Sequence, residues 1–233
     1  MARIARVVVP GIAHHVTQRG NRRMETFFSA DDCRLYRDLL ADHCAQAGVS
    51  VWAYCLMPNH VHLIMVPAHE DGLRQALGET HRRYTRQINF REGWRGHLWQ
   101  ERFHSFPMDE NHLATAVRYV ELNPVRARLA EAAADWPWSS ARAHVEGRDD
   151  GLVLTAPMLE RFGDWLAFLG QESSEPELVS LRQHQRTGRP WGGADFVERL
   201  ETTLGRRLKP GRAGRKPKRR EGEGKLGLIG GQD

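Results

Sequence analysis

Four residues in two short stretches carry side chains that could do chemistry together. The first stretch, Met57-Pro58-Asn59-His60-Val61-His62-Leu63-Ile64-Met65-Val66, holds a His-x-His pair. Apolar residues crowd Val61 to Val66, and Pro58 is tolerated only at or before a strand start, so the stretch reads as a β-strand. Alternation sends His60 and His62 to one face and Val61 into the opposite layer. Two imidazoles about 6–7 Å apart along a strand, from a rise of roughly 3.3 Å per residue, can share one metal ion. A third ligand has to come from another element. Without one, the pair is simply two histidines on a solvated strand face.

The second stretch, Arg118-Tyr119-Val120-Glu121-Leu122-Asn123-Pro124-Val125-Arg126, supplies the other two candidates. Leu113, Ala116, Val117 and Val120 recur at helical spacing, and no Gly or Pro interrupts Glu110 to Leu122, so a helix is predicted there. Tyr119 and Asn123 are spaced i,i+4 and share a face. Pro124 disfavours α geometry at Asn123, which places the amide at the last turn, free to reach a metal. A half-buried tyrosine followed by a C-capping asparagine would show the same spacing.

The elements that must position these residues follow from the rest of the pattern. Ile12 to Thr17 reads as the first core strand, ending in the basic turn Arg19-Gly20-Asn21-Arg22-Arg23. His14 and His15 are adjacent, hence on opposite faces, and are taken as ordinary strand positions. A helix is predicted from Asp31 to about Gln46, with Leu35, Tyr36, Leu39 and Leu40 on one side and Gly48 as its stop. Val49 to Cys55 is a second strand, joined through Leu56–Asn59 to the histidine strand as a hairpin whose exposed corner holds the histidines. Gly72 to Phe90 is a second long helix; its polar face carries His81, Arg82, Arg83 and Arg86, either solvated or touching phosphate. After a Gly- and Trp-bearing loop, Arg102 to Met108 is the fourth strand, and the tyrosine helix follows. The order β-α-β-β-α-β-α predicts an α+β fold: a ferredoxin-like four-stranded antiparallel sheet with helices packed on one face.

Residues 1–147 are assigned to this domain and residues 148–204 to a helical C-terminal extension. Trp136 and Trp138 are read as core closure, with a helix starting after a Ser139 or Ser140 cap. In the extension, Ala156 to Leu169, Pro176 to Arg186 and Ala194 to about Leu204 have helical patterns. The Gly-containing turn between the last two makes them a candidate helix-turn-helix. Residues 205–233 are dense in Arg, Lys, Gly and Pro and are expected to be a disordered basic tail. Gly214-Arg215-Lys216-Pro217 within it is loosely similar to an AT-hook core.

Composition narrows the partners. In 233 residues, 34 Lys and Arg outweigh 29 Asp and Glu for a net charge of +5, unevenly spread, which points to a polyanion. Three cysteines without a Cys-x-x-Cys pair argue against a zinc knuckle or disulfide framework and fit a reducing cytoplasm. Neither a signal-peptide core nor a long apolar span is visible, so a cytoplasmic, nucleoid-associated protein without a membrane partner is expected.

Four segments in order, His15-Val16-Thr17-Gln18-Arg19-Gly20-Asn21-Arg22, Met57 to His62, Gly96-His97-Leu98-Trp99-Gln100-Glu101-Arg102-Phe103 and Tyr119 to Ala127, resemble the single-tyrosine HUH nucleases. Within that superfamily they are most similar to the REP-associated tyrosine transposases, over roughly residues 10 to 145. The resemblance implies a ferredoxin-like fold and phosphodiester transesterification. In it Tyr119 is the nucleophile, leaving a 5′-phosphotyrosine, and His60, His62 and Asn123 hold a divalent cation, Mg²⁺ or Mn²⁺. Nitrogen ligands favour Mn²⁺ in affinity. The implied substrate is single-stranded or hairpin DNA of the kind formed by repetitive extragenic palindromes in bacterial chromosomes. Arg19, Asn21, Arg22, Arg23, Arg82, Arg83 and Arg102 are the candidate DNA contacts. Insertion-sequence relatives usually carry Gln where this chain has Asn123 and work as dimers; Asn-Pro-Val-Arg points to the REP-associated branch and a monomer. The extension past residue 150 departs from the family pattern. A domesticated hairpin-binding regulator with little nuclease activity is the alternative, since phosphate contacts serve both. An RNA-binding module would want exposed aromatics on the central strands, and a hydrolytic metalloenzyme would not require Tyr119.

Overall fold

The computed structural model describes residues 5–209. Four strands, β1 (His14–Arg19), β2 (Val49–Met57), β3 (His60–Pro67) and β4 (His104–Pro107), form one sheet in the order β2-β3-β1-β4. Each neighbouring pair is antiparallel. Between them run α1 (Ala30–Gln46) and α2 (Gly72–Glu92), which completes the expected βαββαβ pattern. Ser29 caps α1 by accepting the Asp32 amide, and Gly93, in the left-handed region at φ 67°, closes α2.

The fold class and sheet are those read from the sequence, but the helices are not confined to one face. Val61, Leu63 and Met65 point into a core shared with α1 and α2. Ile64, Ala53, Cys55 and Met57 point the other way, into a second core built with α3 (Glu110–Glu121). A strand buried on both faces has no reason to alternate apolar with polar, and the runs Ala53–Met57 and Val61–Met65 are buried throughout. The tyrosine helix therefore lies across β2 and β3 on the face opposite α1 and α2.

The chain does not stop helically at Asn123 as expected. It bends at Leu122 (φ −85°, ψ 2°) and resumes as the single turn α4 (Asn123–Arg126). Pro124 is tolerated there because the first turn of a helix needs no amide donor.

The extension packs onto this second layer. Gly163 (φ 64°) divides the long helix expected over 156–169 into α6 (Ala156–Phe162) and α7 (Trp165–Leu169). Met158, Trp165, Phe168 and Leu169 enter the same core as α3. The helix α8 (Glu175–Thr187), opened by a Ser174/Glu177 capping box, rests on α3 and β4. By contrast α9 (Ala194–Leu204) packs Phe196 and Leu200 against Val7, Val9 and Leu208. The two helices of the candidate helix-turn-helix thus dock on different parts of the molecule. The start of the expected disordered tail is ordered: Leu208 is 2% exposed, and the amides of Leu208 and Lys209 donate to Glu201. The remainder of the tail, with Gly214–Pro217, lies outside the described residues.

Candidate active site

The strand face away from α1 and α2 is where the chemistry collects. β3 presents His60 and His62 at the β2–β3 hairpin, β1 pairs Thr17 with His62 and Arg19 with His60, and α3 runs over them. An open cavity of about 570 Å³ results, and His60, His62, Tyr119 and Asn123 all line it. The His60 and His62 ring centroids are 4.9 Å apart, and the Tyr119 ring stands edge-on to His62 at 5.5 Å.

Each histidine has its Nδ1 engaged from behind. His60 Nδ1 lies 2.6 Å from Asn59 Oδ1, and Asn59 is itself fixed by its Nδ2 donating to the Arg23 carbonyl at 2.9 Å. His62 Nδ1 lies 3.1 Å from His15 Nε2. That leaves Nε2 of both rings for a ligand. Burial, with Arg19 nearby, lowers the His60 pKa to about 4, and burial, with His60 and His15, pushes His62 well below its ordinary value. Both are neutral at pH 7, the form that binds metal. The Asn123 amide nitrogen is buried without a hydrogen-bond partner. Among the described residues no group of three His, Cys, Asp or Glu is placed to hold a metal. The donor set is thus two imidazoles and an amide. That is an open set which fits a divalent cation able to keep water or phosphate oxygens in its remaining positions.

Tyr119 differs from the other tyrosines. Tyr36, Tyr54 and Tyr84 are each 0% exposed, and their hydroxyls are bonded to His81, Asp150 and the Thr26 carbonyl. Burial drives all three pKa values upward. Tyr119 is half-buried, and its hydroxyl has no hydrogen bond among the described residues. The Arg126 guanidinium sits over its ring, 4.4 Å from the centroid, and donates to the Tyr119 carbonyl.

Of the candidate DNA contacts, Arg19 and Arg23 line the cavity. Asn21 and Arg22 belong to the same turn, whose Gly20 cannot carry a Cβ without striking the Met24 carbonyl and Thr26. Arg22 and Arg23 hold left-handed backbone (φ 53° and 62°), as does Glu101 (φ 47°) across the cavity. Such strain in non-glycine residues gathers where side chains must be aimed. Arg82 and Arg102 line a second cavity of about 450 Å³ that shares Gln18 and Glu101 with the first. Arg83 lines neither and is paired to Glu79. His81 is not on a solvated face: it packs between Tyr36 and Trp99, and burial lowers its pKa to about 3.

Four further residues were assigned no role from the sequence, although His15 and Arg126 lie within the segments that carry the resemblance. His15 backs His62, Arg126 covers Tyr119, and Gln185 and Arg186 of α8 form the far wall of the cavity.

Residues 8–123 match the family model for IS200-like transposases, and through them the chain belongs to that family. A Haemophilus influenzae protein named as a REP-associated tyrosine transposase is 27% identical over 122 residues, covering 48% of this chain and 69% of the relative. The solved structure of a REP-associated tyrosine transposase bound to a REP hairpin shares the fold. It has a TM-score of 0.51 and 21% identity, and covers 66% of this chain and 90% of that one. No helix among the described residues is long and apolar enough to cross a membrane.

Proposed function

We propose that this chain is a metal-dependent, single-strand-specific DNA nuclease and strand transferase acting on hairpin DNA, with Tyr119 as nucleophile. The observation that carries the reading is the convergence of His60, His62 and Asn123 with the one tyrosine whose hydroxyl is not committed to the fold. The hairpin substrate is taken from the protein of like fold solved with a REP hairpin.

His60, His62 and Asn123 would hold Mg²⁺ or Mn²⁺, which when bound supplies Lewis-acid polarisation of the scissile phosphate. Tyr119 Oη attacks phosphorus in line and gives up its proton to solvent, which in turn protonates the departing oxygen. The bond from phosphorus to the 3′ oxygen breaks, and that oxygen leaves as a free 3′-hydroxyl. A 5′-phosphotyrosine retains the bond energy, so a second 3′-hydroxyl can reverse the step and join strands without ATP. Arg126 holds the Tyr119 ring over the histidines, while Arg19 and Arg23 neutralise the strand entering beside them. The test is incubation of a labelled hairpin oligonucleotide with the protein and Mn²⁺. A protein–DNA adduct that survives denaturation and disappears in excess EDTA is expected. Cleavage without an adduct would replace this mechanism by attack of water.

A further inference from the structure

We propose that His15 is a positioning residue for the metal site: a buried neutral imidazole whose Nε2 accepts the Nδ1–H of His62 and so keeps Nε2 of His62 as a lone pair facing the cavity. This rests on the metal reading given above.

His15 stands opposite Ile64 in the β1–β3 register, which makes it the diagonal neighbour of His62 on the same face. It is 1% exposed, and the two rings lie nearly parallel, 16° apart with centroids at 5.3 Å. Phe106 closes on the His15 ring edge-on at 5.3 Å, and Tyr119 at 6.2 Å. The ring therefore has little freedom. Its one hydrogen bond is to His62, and its Nδ1 is buried without a partner. A residue kept only for packing would be better apolar, because it would leave no buried nitrogen unpaired.

The pair shares one proton between Nε2 of His15 and Nδ1 of His62, and only one arrangement suits a ligand. If His15 donates, the His62 proton must sit on Nε2, and that nitrogen cannot coordinate. If His62 donates, its Nε2 is free, and the His15 proton sits on the unpartnered Nδ1. The second arrangement is the one a bound ion requires, and it is available only because His15 Nε2 stands ready to accept. His60 has no such choice. Its Nδ1 faces the oxygen of Asn59, whose orientation is set by the Arg23 carbonyl. One ligand is locked and the other is adjustable. His15 does not act as a third ligand, since its nearest nitrogen is turned to the back of His62 and the three histidines form no metal-holding group.

The test uses the full chain without DNA, titrated with Mn²⁺ and followed by the electron paramagnetic resonance signal of the free ion. Thermal unfolding in EDTA is measured alongside. His15→Leu removes both nitrogens and should weaken Mn²⁺ binding about 10–100-fold, yet unfold at or above the wild-type temperature. His15→Gln puts an amide oxygen where Nε2 stood and should recover most of the affinity. His15→Asn, whose amide is too short to reach His62, should behave like the leucine variant and stands in for it if that variant does not fold. Wild-type affinity in the leucine or asparagine variant would overturn the proposal. So would a loss in all three variants accompanied by a lower unfolding temperature, which would make His15 a packing residue. If the wild-type chain takes up no Mn²⁺, the metal reading itself fails, and that result appears before any substitution is made.

Discussion

Tyr119 and Glu121 are two residues apart on α3, and their polar atoms are in opposite circumstances. On one side of the helix end the Tyr119 hydroxyl and the Asn123 amide nitrogen lack hydrogen-bond partners, and both residues line an open cavity. On the other side Glu121 is 0% exposed and its carboxyl is fully engaged. Ser140 Oγ and His144 Nδ1 meet one oxygen at 2.5 and 2.7 Å, and Trp165 Nε1 donates to the other at 2.8 Å. Of the two serines offered as the cap of α5 (Ala141–Glu146), Ser139 accepts the Ala141 amide, while Ser140 makes no cap hydrogen bond and instead also accepts the Tyr54 amide. The buried carboxyl thus ties α3 to β2, α5 and α7 at once. The contrast separates two uses of polarity in one helical turn: groups satisfied by the fold hold the helix in place, and groups left unsatisfied by it are available to a substrate.

The largest expected effect breaks the open side. Tyr119→Phe deletes one unpartnered oxygen and should abolish the covalent adduct completely. Stability should change by less than about 0.5 kcal/mol. Mass spectrometry of the digested wild-type adduct should find the nucleotide on the peptide containing Tyr119; a nucleotide on any other tyrosine refutes the assignment.

Next comes the closed side. Glu121→Ala leaves three buried donors facing a cavity and should destabilise the protein by about 3–5 kcal/mol, read by denaturant unfolding. Glu121→Gln, which keeps one acceptor, should cost less. A loss under about 1 kcal/mol in the alanine variant would mean that the cluster does not anchor the helix.

An effect smaller per pH unit comes from protonation. Burial lowers His14 to about 4 and His15 to about 3. Above the ordinary value near 6.5 neither folded nor unfolded chain binds these protons. Below it the unfolded chain takes them up and the folded chain does not, so stability is lost as pH falls. In EDTA each histidine should remove up to about 1.4 kcal/mol per pH unit, from near 6.5 down to its folded value. Unchanged stability between pH 6.5 and 5 would show that these rings are open to protonation in the fold.

The smallest effect should leave both sides of α3 untouched. Deleting residues 210–233, which include Arg212, Arg215, Lys216, Lys218, Arg219, Arg220 and Lys225, should weaken DNA binding equally for all sequences and flatten its salt dependence. A changed preference among hairpins would instead make this segment a reader of sequence.

Much of the site was legible because it depends on local periodicity. Strand alternation placed His60 and His62 on one face, and helical spacing placed Tyr119 above Asn123. What was missed depends on register between distant segments. His15 is an unremarkable strand residue until β1 pairs with β3 and brings it behind His62. The two-sided burial of the sheet was written in the unbroken apolar runs of β2 and β3, which the expectation of helices on one face passed over. The bend at Leu122 shows a proline rule acting as a bias rather than a stop. His81 sits among arginines in sequence, and only the packing of α2 against α1 shows that it faces Tyr36.

The contribution of Gln185 and Arg186 to the cavity bears on how the molecule can be taken apart and recombined. Residues 8–123 match the family model, yet the candidate site in this chain borrows a wall from α8, more than sixty residues beyond that segment. An excised family domain would carry the proposed nucleophile and metal ligands with one flank of the pocket missing and part of the α3 core bared. Grafting a different extension onto the same domain would reshape the chamber without touching any of the four chemical residues. In this chain the extension is thus placed to shape entry to the cavity independently of the proposed reacting groups, and a chimera that swaps only residues 148–209 is the protein in which to look for it.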